Sequence, residues 1–358
     1  MASGVPVLPI PDYKAGIIPF KAGASFYSIP QKLVHGYVES FNLTVQKQFG
    51  AWLAQVGFVG NSSIHQHMRN NINYGTVGGG TTSQKLYLAL GKTSAAETEI
   101  SSLGHTHYDS LQATLDRHFA NGFQLKSTYT YSKWIGLCCD NSGFGSLMTP
   151  IPEYQRLNYA PINADQRHIF NLTGIAQSPF GKGKKYLQNG PGSFVLGGWQ
   201  LGAVATVHSG TPFSITADGT SLNAPGSTQR ADQVKAHVGI NGGTSQYFDI
   251  TAFKPVTAVR FGTSGYDSVY GPGAANLDLS VFRSFELPEH MTAQLRIESM
   301  NFTNTPHFGN PGSNVSSVQY DSNGNIANAN GFGRITGTNA VNRSEDERYF
   351  RFGLKIMF

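Results

Sequence analysis

The sequence predicts an all-β chain, in which one antiparallel meander of about nine strands forms part of a transmembrane β-barrel. Three observations support this prediction. Long stretches alternate apolar and polar residues with a period of two, and the connections between them are alternately short and long. In addition, only 13% of the residues are charged, against roughly a quarter in ordinary soluble domains.

The last predicted strand, residues 348–358, shows the alternation most clearly. Its apolar set takes every second position and consists of Phe350, Phe352, Leu354, Ile356 and Phe358. The positions between them include Arg351 and Lys355, so one face of the strand suits water and the other suits an apolar environment. A terminal Phe resembles the end of bacterial outer-membrane barrels. We therefore expect an outer-membrane location and recognition of this strand by the barrel assembly machinery. The closing strand of a soluble β-sandwich is the alternative.

The composition excludes several classes of protein. Among 358 residues there are 42 Gly and 12% aromatics, with a net charge of +5 spread along the chain. Such a charge gives no reason to expect a nucleic-acid partner. No window of about 18 apolar residues is present, so no transmembrane helix is expected. The first residues lack a basic start and an apolar core, so no export signal is expected among them.

The nine strands follow an irregular lead-in. Residues 1–35 contain five prolines and scattered Gly, which is typical of loop, and residues 36–358 are expected to be the barrel portion. Alternation of apolar and polar residues predicts strands near 36–49, 52–58, 110–119, 123–131, 168–176, 199–208, 276–285, 291–301 and 348–358. Each is expected to run to about ten residues, the length that a tilted strand needs to cross a bilayer.

The connections predict the topology. Short turns at 49–50, 121–122 and 288–290 fall on one side, which we assign to the periplasm, and Asn121-Gly122 is a strong hairpin signal. Long segments at about 61–106, 135–164 and 209–274, and about 45 residues before the last strand, are expected to be outer loops. An odd number of strands cannot close by antiparallel pairing, so we expect an open sheet with edges at 37–48 and at the last strand.

The outward face is expected to contact outer-membrane lipid. Its predicted members are Phe41, Leu43, Trp52, Leu115, Leu201, Leu279, Leu295, Leu354 and Ile356. Aromatic residues near strand ends are expected to form a girdle at the membrane surfaces, and these are Trp52, Tyr129, Tyr131, Trp134, Trp199 and Phe358.

The inward face carries the candidate binding residues. Six charged side chains have the parity of the polar set: Lys126, Asp278, Arg296, Glu298, Arg351 and Lys355. They are candidates for contact with a solute. The alternative is that they form a paired, hydrated barrel wall.

No catalytic motif is present. The sequence lacks HExxH, GxSxG and a Walker A loop, so we expect no enzyme, no catalytic residue and no cofactor. The Lys-rich stretch 180–185 resembles a phosphate loop only superficially, and we interpret it as a charged turn. His65 with His67, and His105 with His107, form two pairs that could hold a metal, and we interpret them as solvated loop histidines rather than a metal site. Cys138 and Cys139 are either two thiols or a vicinal disulfide.

Several segments resemble the C-terminal part of Oar-like TonB-dependent receptors. The longest is ESMNFTNTPHFGNP at 298–311, and the others are GPGAANLDLSVF at 271–282, GWQLG at 198–202, SGTPF at 209–213, DQRHIF at 165–170, YDSLQ at 108–112 and YTYSK at 129–133. No single segment is diagnostic, but their order and spacing are fairly specific, and the similarity extends over residues 36–358.

The resemblance implies a function. Receptors of this family have an N-terminal carboxypeptidase-regulatory-like domain, a plug and a 22-stranded barrel that takes up large solutes with energy from TonB. This chain looks like a C-terminal fragment of such a barrel, without plug or TonB-contact segment, so TonB would be a partner only of the full-length receptor. The rival interpretation is a secreted or surface-attached all-β adhesion or structural protein built from sandwiches.

Overall fold

The computed structural model describes residues 25, 27–93, 97–137, 147–288, 291–339 and 346–358. Within them, nine long strands form one sheet. They are β1 (Tyr37–Phe49), β2 (Trp52–Asn71), β3 (Thr98–Ala120), β4 (Phe123–Leu137), β5 (His168–Gln177), β6 (Trp199–His208), β7 (Ala274–Glu286), β8 (Thr292–Met300) and β9 (Tyr349–Met357). The two short helices are α1 (Lys85–Leu90) and α2 (Pro191–Leu196).

The sheet is an antiparallel meander, as predicted. Each long strand pairs with its neighbours in sequence, in the order β9-β8-β7-β6-β5-β4-β3-β2-β1. β1 and β9 do not pair with each other, so the sheet is open. Two short strands add to its long-loop end: Tyr27–Ser28 pairs in parallel with the start of β3, and Tyr159–Pro161 pairs with the end of β4. The first of these lies in the segment expected to be irregular.

The turn between β3 and β4 is a tight hairpin. Ala120 pairs with Phe123, and the two residues between them have positive φ angles, 54° at Asn121 and 78° at Gly122. Positive φ at both central positions defines a type I′ turn, whose twist matches that of the flanking strands. The turns after β1 and β7, the connection from β5 to β6 and the end of β9 lie at this same short-turn end of the sheet.

β2 and β3 are longer than the predicted ten residues. They contain 20 and 23 residues, because segments 61–71 and 98–106, which we expected to be loop, continue the pairing. The register between them shifts twice after Ser63, at irregularities of the β-bulge type. Both faces of this extension carry polar residues, so the period-two signal disappears where neither face is in contact with lipid.

One face of the sheet forms an apolar belt. Directly paired residues share a face, and the register places Leu43, Phe58, Leu111 and Tyr131 in one row across four strands. The belt is exposed: 72% of Leu43 and 69% of Leu354 are accessible. Of the nine predicted outward residues, Phe41, Leu43, Leu115, Leu201, Leu354 and Ile356 are exposed, and Trp52, Leu279 and Leu295 are half-buried. A sandwich would bury this face.

The buried core lies in the long loops. The main cluster joins segments 213–269 and 315–335 around three fully buried or nearly buried side chains, Phe248, Phe253 and Ile215. A second cluster packs Tyr74 and Ile151 against Leu222 and Phe261, so three loops meet there. We call the packed segments 72–93, 147–167, 209–273 and 302–339 the loop unit.

Short elements build the loop unit. The strand pairs are Pro212–Phe213 with Val269–Tyr270, Asp232–Gln233 with Phe253–Lys254, and Gln319–Tyr320 with Ile326–Asn328. The 3₁₀ turns are Thr81–Ser83, Pro152–Asn158, Ile250–Ala252 and Val315–Ser317. None of the described helices is long and apolar enough to cross a membrane.

Candidate solute-contact surface

The second face of the sheet is a polar surface built by the same alternation. One row runs across seven strands and carries only amides and hydroxyls: Gln46, Gln55, Thr114, Thr128, Asn171, Thr206 and Asn276. Uncharged donors and acceptors on a curved wall can bind water or hydroxyl-bearing solutes without a net field. We call this surface the polar face.

All six candidate charges lie on the polar face, and four of them form one group. Glu298 stands between two arginines: its Oε1 lies 3.6 Å from Arg296 Nη1 and its Oε2 lies 3.9 Å from Arg351 Nη1. Lys355 is two positions farther along β9 from Gly353, the partner of Arg296 in the register. These four residues form a mixed-charge patch near the β9 edge.

Asp278 and Lys126 are separate from that patch. Asp278 Oδ1 accepts hydrogen bonds from the backbone N of Asn301 at 2.8 Å and from Asn276 Nδ2 at 3.0 Å. Lys126 lies opposite Asp116 of β3 and shares a row with Asp278 three strands away, about 14 Å at the usual strand spacing. The structure therefore does not bring all six charges into one site.

The polar face also carries an aromatic pocket that the sequence analysis missed. A cavity of about 370 Å³ is lined by Val38, Asn61, Ser63, Thr106, Tyr108 and Trp134. The Tyr108 and Trp134 rings are nearly perpendicular, with centroids 6.5 Å apart. Trp134 was expected in the outward girdle, and that prediction is wrong. Its even number gives it the parity of Lys126, Thr128 and Thr130, and this signal could have placed it inward.

A buried polar cluster fixes the loop unit to the sheet. Asp165 Oδ2 accepts hydrogen bonds from Tyr270 OH at 2.6 Å and Arg167 Nε at 2.9 Å, and its Oδ1 accepts one from the backbone N of Trp134 at 2.7 Å. Burial, together with the hydrogen bond to Asp165, raises the pKa of the Tyr270 hydroxyl to about 12. The cluster therefore links Tyr270, in the long segment between β6 and β7, to the backbone of Trp134 on β4.

A second polar cluster ties two loops together. The Tyr266 hydroxyl lies 2.7 Å from Thr149 Oγ1 and 2.9 Å from the carbonyl oxygen of Thr228. The Arg230 guanidinium stacks over the Tyr266 ring at 5.3 Å. Burial raises the pKa of Tyr266 and lowers that of Arg230. These contacts join segments 147–167 and 209–273 of the loop unit.

The remaining candidate features do not assemble a metal or phosphate site. No group of three or more His, Cys, Asp or Glu in the described ranges could hold a metal ion. His65 Nδ1 lies 3.3 Å from the carbonyl oxygen of Ser102, and the rings of His105 and His107 pack edge to face at 6.3 Å. Within the Lys-rich stretch 180–185, Lys184 Nζ donates to Gln177 Oε1 at 2.8 Å. Cys138 and Cys139 lie outside the described residues.

The comparison with known families agrees with this two-faced sheet. The model of the outer membrane beta barrel domain family matches residues 1–350. The chain belongs to this family. It is thus an outer-membrane β-barrel domain, which agrees with the predicted location and with the exposed apolar belt.

Two solved structures are similar to the chain. The outer membrane transporter YddB from Escherichia coli has a TM-score of 0.47 and 10% identity, over 94% of this chain and 35% of YddB. The FrpB iron transporter from Neisseria meningitidis has a TM-score of 0.42 and 11% identity, over 93% of this chain and 33% of FrpB. The chain thus spans about a third of each transporter. No curated protein matches the sequence.

Proposed function

We propose that this chain forms the C-terminal part of the barrel wall of an Oar-like TonB-dependent receptor and that its polar face lines the path of a large solute. The observation behind the proposal is the open sheet. One of its faces is apolar and exposed, the other is polar, and each of its two edge strands has one unpaired side. Unpaired backbone groups are costly in hydrocarbon, so further strands must pair with β1 and β9 in a membrane. In this proposal the rest of the receptor supplies them, together with the plug and the TonB-contact segment.

The polar face supports solute contact in a specific way. The mixed-charge patch around Glu298, the aromatic pocket at Tyr108 and Trp134, and the amide and hydroxyl row across β1 to β7 offer different chemistry along one wall. A large solute can use several such weak contacts at once. The loop unit covers the long-loop end of the wall and is internally packed, which suits a fixed entrance rather than a flexible one.

The reading frame upstream of Met1 tests this proposal. We expect it to encode a plug and a TonB-contact segment in frame, followed by the missing strands. The receptor expressed from that frame should bind the periplasmic domain of TonB, whereas the present chain should not. An upstream region without these segments, or binding of TonB by this chain itself, would contradict the assignment.

A further inference from the structure

The connection between β5 and β6 packs on the belt face of the sheet and not on the polar face. Residues 178–198 contain α2, and two side chains of the belt face hold its backbone. Trp199 Nε1 donates a hydrogen bond to the carbonyl oxygen of Val195 at 2.8 Å. Arg283 donates to the carbonyl oxygens of Phe194 and Val195. Since Trp199 and Arg283 are paired in the register and share a row with Leu295 and Leu354, α2 lies on the lipid-facing side.

The outer surface of this connection is apolar. Phe194 is 69% exposed and Val195 60% exposed, and Leu196, Tyr186 and Leu187 are exposed as well. Large exposed apolar patches on a folded protein mark a binding surface. The patch is continuous with the belt, because the Arg283 guanidinium that holds α2 also stacks on Phe194, Trp199 and Phe285.

Positive charge accompanies the apolar patch. Lys182 and Lys185 are exposed in the same connection, and neither forms an ion pair within the part of the chain that the structure describes. Apolar residues at the depth of the headgroups, next to lysines, are the pattern of an interfacial membrane anchor. The lysines are complementary to the phosphates of anionic lipids.

We propose that residues 178–198 form a collar that enters the phospholipid leaflet at the short-turn end. Phe194 and Val195 insert at the boundary between headgroups and acyl chains, and Lys182 and Lys185 contact anionic headgroups. The partner is an anionic phospholipid surface. This inference rests on the membrane location of the chain and not on solute transport.

The test measures how deeply residue 195 enters the lipid, by quenching of a fluorophore attached to a cysteine at that position. In a Cys138→Ser/Cys139→Ser background, Val195→Cys receives the fluorophore, and the full chain is folded in mixed micelles that contain lipid spin-labelled near the headgroup end of the acyl chain. We expect quenching of at least twofold at Val195→Cys and little at Asn189→Cys, an exposed polar position of the same connection. Leu354→Cys, on the belt, is the positive control.

Two outcomes would overturn the collar without contradicting the lipid-facing belt. One is quenching at Leu354→Cys but none at Val195→Cys, which leaves the barrel assignment intact. The other is equal quenching by spin-labelled phosphatidylglycerol and phosphatidylcholine. We expect stronger quenching by phosphatidylglycerol, and we expect Lys182→Gln/Lys185→Gln to lower that preference on the order of fivefold for each lysine lost. No quenching even at Leu354→Cys would contradict the lipid-facing belt itself, and the collar with it.

Discussion

At the scale of single residues, neighbouring positions of a strand face opposite environments: one side chain contacts lipid and the next contacts water. On β8, Leu295 pairs with Leu354 in the belt, whereas its neighbour Arg296 reaches Glu298 on the polar face. Charges are tolerated on the belt face only near its ends, as at Arg117, whose guanidinium stacks on Trp52 and Phe123 beside the hairpin turn. The effect of a substitution on stability therefore depends first on the face of the sheet to which the position belongs, and only then on the type of residue introduced.

Leu295→Arg tests this rule at the middle of β8. In lipid it should lower the free energy of unfolding by up to roughly 2 to 4 kcal/mol, because the guanidinium is placed on the lipid-facing belt, between Arg283 and Leu354 in the register. Gln294→Arg is the matched control, one residue away on the polar face, and should change stability by less than about 0.5 kcal/mol. Urea titration of the full receptor folded in bicelles, in which further strands pair with β1 and β9, measures the cost of both variants. Equal costs for the two variants would refute the assignment of faces.

Tyr270→Phe tests the cluster that attaches the loop unit. The substitution removes a donor to the buried Asp165 carboxylate and should cost about 1 to 3 kcal/mol. Tyr320→Phe is the control, because the buried Tyr320 hydroxyl has no hydrogen-bond partner in the described residues and its loss should be nearly neutral. Urea unfolding followed by near-ultraviolet circular dichroism compares the two. A larger cost at Tyr320 would contradict the account.

The pH dependence of this cluster follows from the raised pKa of Tyr270. A folded-state pKa of about 12 exceeds the unfolded value of about 10, so the contribution of Tyr270 is fully present below pH 10. It is lost as the pH rises from about 10 to about 12. Wild type should therefore lose more stability than Tyr270→Phe over this pH interval. Parallel plots of stability against pH for the two proteins would argue against the raised folded-state pKa of Tyr270.

At the scale of elements, the sequence predicted long features and missed short ones. All nine long strands were found, because a strand with one face in lipid repeats its apolar residues over nine or more positions. The two-residue strands of the loop unit have no measurable period, so Phe248 and Phe253 could not be assigned to a core. The six candidate charges were placed on the polar face by parity. The separation of Lys126 and Asp278 from the other four depends on register across several strands, which alternation alone does not fix.

The ion pairs of the loop unit predict a weak acid sensitivity. Arg260 Nη1 and Nη2 bind both oxygens of Asp232, at 2.7 and 2.8 Å, and this hydrogen bonding lowers the pKa of Asp232. A depressed folded-state pKa gives stability that is present above the unfolded value of about 4 and is lost as the pH falls through the folded value. Because Arg260 is exposed to solvent, which screens the pair, the effect on stability should be small.

Asp232→Asn measures this contribution. The variant should be slightly less stable than wild type at pH 7 and equal to it near pH 2, as followed by urea unfolding of the loop unit. Asp218→Asn, a loop carboxylate that accepts only from Asn314 Nδ2 and forms no ion pair in the described ranges, serves as the control. A stability difference at Asp232 that persists unchanged at pH 2 would rule out the ion pair as its cause.

At the scale of the whole molecule, the sheet is a wall and not a closed barrel. Nine strands are an odd set, so β1 and β9 run in the same direction and would meet in parallel if the wall curled onto itself. The belt leaves large apolar side chains uncovered on one side, and the polar face leaves charges on the other. Both features are consistent with one segment of a larger barrel.

Heat-modifiable gel migration combined with bilayer conductance tests this central claim most directly. The 358-residue chain is folded in detergent and compared before and after boiling, then added to a planar bilayer. The account predicts no compact heat-modifiable species and no stable pore, because two edge strands remain unpaired in hydrocarbon. A compact species that unfolds on boiling and gives steady single-channel conductance would show that these nine strands close by themselves, and it would contradict the proposal that they belong to a larger barrel.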